Sequence, residues 1–165
     1  MIVRLNLQDE QTVQKLWNLQ QRAYRVEAEI IGTADIPPLR ESVEQLRACG
    51  ETFYGYIEGA EVTGAVSFLI EGDTLDIHRM IVDPIHFRKG IASQLLASVH
   101  EHANSKIIVA TGSLNEPAVR LYGRHGFTLT DKKEVKPGLW LSFFEKRINS
   151  PHIHCYRLLD TTLRC

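Results

Sequence analysis

Between Thr52 and Val82 the chain changes its hydrophobic period. Up to about residue 48 apolar side chains recur at helical spacing, whereas FYGYI, VTGAVSFLIE and TLDIHRMIV are strand-like runs separated by EGAE and GD turns. Three strands joined so tightly read as an antiparallel meander. A sheet of this kind must bury at least one face, so the flanking segments have to supply the cover.

Those segments can do so. IVRL (residues 2–5) reads as a short strand, and Asp9 as the cap of a helix carrying Val13, Leu16, Trp17, Ala23 and Tyr24. Gly32 and ADIPPL end that helix, because residues before proline avoid the helical region. A second helix is expected over Arg40–Ala48. After the meander, Ile91, Leu95, Leu96 and Val99 mark one face of a helix running to about Ala103. KIIVAT reads as a buried parallel strand, and Asn115 as the cap of a helix with Pro117 in its first turn and Gly126 at its end. Strands around Thr128–Val135 and Leu139–Glu145 follow. The order is β-α-α-β-β-β-α-β-α-β-β, an α/β (α+β) arrangement of about seven strands and four helices. A domain over residues 1–147 is expected, with a tail of unassigned role over residues 148–165.

Composition removes several classes of function. With 44% hydrophobic and 24% charged residues among 165, the chain has the profile of one soluble globular domain. Nineteen basic and twenty acidic residues nearly cancel, which argues against nucleic acid as a partner. Cys49, Cys155 and Cys165 fit neither a disulfide framework nor a C-x-x-C site. No apolar run approaches the roughly 20 residues that span a bilayer, and the start turns polar after Leu7, unlike a signal peptide. A cytoplasmic protein with no membrane partner is expected.

The stretch FRKGIAS opens the helix at Ile91. A helix start presents unpaired N–H groups and the positive end of the helix dipole, which suits phosphate. Gly90 and the small Ala92 let an anion approach the backbone, and Arg88 and Lys89 add charge.

This loop, followed about 30 residues later by NEPAVRLYGRHGF, resembles the GNAT superfamily of N-acetyltransferases, which acetylate amines with acetyl-CoA. The superfamily loop reads (Gln/Arg)-x-x-Gly-x-(Gly/Ala). Gly90 and Ala92 match it, while Phe87 stands at the Gln/Arg position. The resemblance implies a mixed, mostly antiparallel sheet and a CoA diphosphate held by the loop Phe87, Arg88, Lys89, Gly90, Ile91, Ala92 and Ser93. It also implies that backbone groups of Met80, Ile81 and Val82 contact the pantetheine arm and the acetyl carbonyl. A backbone N–H there would act as an oxyanion donor.

Asn115, Ala118, Tyr122, Gly126 and Phe127 fall on the family pattern N-x-x-A-x-x-x-Y-x-x-x-G-F. Asn115 then touches the CoA arm or serves only as a helix cap. Tyr122 resembles the acid that protonates the departing thiolate, and a phenol remains protonated at neutral pH. The incoming ammonium must lose a proton, and Asp76, His78 or a chain of waters can take it. Alternation places Asp76, His78 and Met80 on one strand face and Ile77, Arg79 and Ile81 on the other.

By the same resemblance the amine site lies by the first two helices, with Tyr24, Glu27, Ile36 and Tyr54 as its lining. The acceptor would be a small amine or amino-acid-like metabolite, with a protein N-terminus or lysine as the alternative. Phe87 and the lack of a strand Glu leave room for a non-catalytic acyl-CoA sensor. His152, His154 and Cys155 lack a fourth zinc ligand, so no metal is expected. Lys146, Arg147, Arg157 and Arg164 give the C-terminus a positive bias, read as solubility or a homodimer contact.

Overall fold

The computed structural model describes residues 1–148. The tail that begins at residue 149, with His152, His154 and Cys155, lies outside the described residues. Strand β1 (Ile2–Arg4) leads into α1 (Glu10–Ile31) and two short helices, α2 (Pro37–Arg40) and α3 (Val43–Arg47). The meander is β2 (Thr52–Glu58), β3 (Glu61–Glu71) and β4 (Thr74–Val82). Then come α4 (Ile91–His100), β5 (Lys106–Gly112), α5 (Glu116–Arg124), β6 (Thr128–Lys136) and β7 (Leu139–Arg147).

The helix expected over Arg40–Ala48 is the shorter α3, and α2 over Pro37–Arg40 is an additional helix, which makes five rather than four. Glu41 and Ser42 are extended, with ψ of 131° and 164°. Ser42 then starts α3 through a capping box: its hydroxyl accepts from Gln45 N–H, and the Gln45 side chain accepts from Ser42 N–H. The break frees the Glu41 carbonyl to accept from Trp17 Nε1 at 2.8 Å. The other caps follow the sequence. The Asp9 carboxylate accepts from Thr12 N–H at 3.0 Å, Gly32 closes α1 with φ of 78°, and Asn115 caps α5 by accepting from Ala118 N–H at 3.4 Å.

The seven strands lie in the order β1-β2-β3-β4-β5-β7-β6. Every pairing is antiparallel except β4 with β5. That parallel pairing is short, joining Thr74–Ile77 to Lys106–Val109. Beyond it β4 continues to Val82 paired only with β3, and β5 continues to Gly112 paired only with β7. The two central strands therefore part halfway along the sheet.

Each face of the sheet carries its own core. Helices α4 and α5 set Leu95, Leu96, Val99 and Leu121 against Val66, Phe68, Leu75 and Ile77. Helices α1 and α3 set Leu16, Leu19 and Leu46 against Phe53, Ala65 and Ile81. The α4 packing is close at Gly64, where a Cβ would stand 2.6 Å from Ile91 Cγ2. At the far edge, β6 is exposed along its whole length. Lysines and two bulged residues, Thr130 and Val135, keep that edge from templating another strand.

One expectation about β4 is overturned. Ile77 pairs with Phe68 and Arg79 with Ser67, so His78 is an extra residue, a β-bulge. The alternation changes phase there. Leu75 and Ile77 face the α4 side, as do Met80 and Val82, while Arg79 and Ile81 face α1. Ile77 thus does not share a face with Arg79 and Ile81, and Asp76 does not share one with Met80. A period-2 reading cannot hold across an inserted residue.

Candidate active site

The loop after β4 is built by a buried carboxylate. Asp83 Oδ1 accepts from Ile85 N–H at 3.2 Å, starting a 3₁₀ turn over Pro84–His86, and Arg22 Nη2 holds Oδ2 at 2.8 Å. The chain then enters the left-handed region twice, at Arg88 (φ 65°) and Gly90 (φ 76°). A side chain tolerates that conformation poorly at Arg88. Gly90 takes the N-cap position of α4, where no side chain caps the helix. The opening N–H groups of Ile91, Ala92 and Ser93 have no intrahelical acceptor, and the space where a Gly90 Cβ would stand is open. This cradle fits a diphosphate.

Around the cradle, Lys89 Nζ lies 3.1 Å from His86 Nδ1, and Ser93 Oγ lies 3.1 Å from His125 Nε2 at the end of α5. Phe87 is half-exposed and points no charge at the loop. Met80, Ile81 and Val82 lie where β4 has left β5, so their backbone edge on that side has no strand partner. Their side chains pack in the two cores.

Tyr122 is buried on α5 between Phe127 and Phe144, with ring centroids 5.5 and 5.8 Å away. Burial, then the charge of Glu27, pushes its phenol well above the ordinary range. Tyr24 is pushed up for the same two reasons in the same order. Burial also raises the Glu27 carboxyl, opposed by the Asn115 amide. The charge of Glu27 thus bears on both phenols. Ile36 is buried at the start of α2, in the same core cluster as Tyr24.

Tyr54 is a correction. It points to the α4 face, stacked with Phe68 at 6.1 Å and tilted against His102 at 4.8 Å, away from the α1 side that holds Tyr24 and Glu27. The parity of a strand is visible in the sequence, but which face α1 covers is not.

The bulged His78 lies between two carboxylates. Its Nε2 is 3.4 Å from Asp76 Oδ2 and its Nδ1 is 3.8 Å from Glu51 Oε1. Burial raises Asp76 above the usual carboxylate range, against the pull of His78. Burial raises Glu51 too, but hydrogen bonds from Arg79 and Ser67 outweigh it and hold the carboxyl below its ordinary value.

Sequence reasoning missed the hub behind this pair. Arg79 forks onto Glu41 at 2.6 and 3.0 Å, reaches Glu51 at 2.9 and 3.1 Å, and donates to Gln20 Oε1 at 2.7 Å. Its guanidinium carbon sits 5.6 Å from the Phe53 ring centroid. An arginine in so apolar a strand was the available signal, because a buried cation requires carboxylate partners.

Residues 13–127 match the acetyltransferase (GNAT) family. The chain belongs to the GNAT family. A GNAT fold is also the likeness in solved structures: the PaiA N-acetyltransferase of Thermoplasma acidophilum, in complex with coenzyme A, superposes with a TM-score of 0.73 at 16% identity, over 90% of this chain and 98% of that one. Among curated relatives, the UPF0157 protein YqkA of Bacillus subtilis (strain 168) is 40% identical over 124 residues, 74% of this chain and 36% of the relative. The uncharacterized N-acetyltransferase YsnE of the same organism is 37% identical over 93 residues, 52% of this chain and 61% of the relative. This GNAT chain thus spans about a third and three-fifths of the lengths of those two relatives. No described helix is long and apolar enough to cross a membrane, and no group of His, Cys, Asp or Glu among the described residues is arranged to hold a metal.

Proposed function

We propose that this GNAT chain is an acetyl-CoA-dependent N-acetyltransferase acting on the amine of a small or amino-acid-like metabolite. The observation that carries this reading is the uncapped start of α4 set beside the parted edges of β4 and β5. Bound acetyl-CoA supplies an activated acetyl thioester.

The N–H groups from Arg88 to Ser93 hold the diphosphate, with Arg88 adding charge. The free backbone edge of Met80–Val82 aligns the arm and offers an N–H to the acetyl oxygen. Asn115, steadied by its cap bond, borders the arm. His78 accepts the proton of the incoming amine at a ring nitrogen, and Asp76 and Glu51 orient the ring. The raised pKa of Tyr122 keeps the phenol protonated until sulfur departs, when its proton moves to the thiolate. Tyr24, Glu27 and Ile36 border the amine.

The test is a calorimetric titration with acetyl-CoA followed by a thiol-release screen over amines. Binding with amine-dependent release is the expected result. Binding without release from any amine supports an acyl-CoA sensor, and absence of binding overturns the reading of the loop.

A further inference from the structure

Between the C-terminal end of α1 and the β6–β7 hairpin lies a cleft of about 220 Å³ that the roles above do not use. Its walls include Ile31, Leu114, Lys132 and Trp140, over the bare backbone of Gly112. We propose that this cleft receives the carboxylate and the side chain of the acceptor, so that the acceptor is an α-amino acid with a flat apolar side chain. This inference rests on the acetyltransferase reading.

Two walls of the cleft adjoin residues of the candidate active site along the chain. Ile31 stands one helical turn beyond Glu27, on the same face of α1. Leu114 directly precedes Asn115. The floor is close-set: a Cβ on Gly112 would lie 3.0 Å from Ile31 Cγ2, a tight contact that would press on this wall.

Its chemistry has a direction. One helical turn back along α1 from Ile31 stands the Glu27 carboxylate, which suits an ammonium. At the outer end stands Lys132, which no carboxylate among the described residues pairs. The other two lysines of β6 are paired, Lys133 with Asp131 at 3.7 Å and Lys136 with Asp35 at 2.6 Å. An amino acid has the complementary order, ammonium then carboxylate. Between the two ends, Trp140 and Leu114 leave 46% and 62% of their surface exposed, which a flat apolar side chain would cover. The Asp35–Lys136 pair ties the segment after α1 to β6 and so holds the two walls together.

The test compares thiol release from L-phenylalanine, phenethylamine and L-glutamate, with acetyl-CoA saturating. Phenethylamine keeps the amine and ring but lacks the carboxylate. L-Phenylalanine is expected to exceed it by at least about tenfold in kcat/KM, the worth of one charge-assisted hydrogen bond. Lys132→Met should erase that preference while the KM for acetyl-CoA stays unchanged. A readout independent of turnover is tryptophan emission, which L-phenylalanine should shift to shorter wavelength by covering Trp140 in the wild type and not in Trp140→Phe. Equal rates for L-phenylalanine and phenethylamine overturn the inference and leave the transferase standing. A preference that survives Lys132→Met, or transfer only to L-glutamate or to peptide amines, does the same. Absence of acetyl-CoA binding overturns both readings.

Discussion

Arg79 grips the Glu41 carboxylate through both terminal nitrogens, at 2.6 and 3.0 Å, and thereby fastens the loop between α2 and α3 to the middle of the sheet. The same guanidinium holds Glu51, the carboxylate beside His78. Removing one member of such a buried set leaves the others unpaired, which costs far more than the net worth of the set. Arg79→Met is expected to lower the unfolding free energy by about 3–5 kcal/mol, read from urea denaturation. Arg79→Lys should recover little, because an ammonium cannot fork onto two carboxylates.

Glu27 carries the opposite sign. Its folded pKa lies above the unfolded one, so the native state binds the proton more tightly, and ionised Glu27 costs stability at neutral pH. Glu27→Gln should therefore raise the melting temperature at neutral pH. The gain should shrink as pH falls through the raised folded value toward about 4.3, the ordinary glutamate range. Acceptor KM should rise in the same variant. A melting temperature that drops at neutral pH would contradict the burial argument.

Tyr122→Phe removes one oxygen from a packed ring, so the fold and acetyl-CoA affinity should persist. Acetyl transfer should slow by about 10²–10⁴, the usual worth of a positioned acid. Unchanged turnover would remove the phenol from the mechanism.

Gly64→Ala drives a methyl to within 2.6 Å of Ile91 Cγ2 at the first residue of α4. Overpacking of this kind costs about 1–3 kcal/mol. Because the strain lands on the helix start, acetyl-CoA affinity should fall together with the melting temperature. A stability loss with affinity intact would separate this packing from the loop.

What the sequence disclosed follows from range. The caps Asp9 and Asn115, the glycine at the start of α4 and the meander are local, and each depends on a few neighbouring residues. The bulge at His78 depends on the register of β3, and β4 alone reads as regular alternation. The partners of Arg79 come from 38 and 28 residues away along the chain, so no spacing rule finds them. Tyr54 was misplaced for a related reason: alternation gives two faces, and only tertiary packing decides which one α1 covers. The late start of α3 at Ser42 was hidden because helix propensity runs through Arg40–Ser42, while the capping box and the Trp17 bond to Glu41 favour extended backbone there.

The parting of β4 from β5 after Ile77 has a consequence for how the protein keeps its shape. A sheet interrupted at its centre behaves as two half-sheets sharing a short hinge, and whatever lies in the gap serves as a surrogate strand. Under the proposed function the cofactor arm takes that place, and hydrogen exchange at the Met80–Val82 amides becomes a clock for how long the gap stays filled.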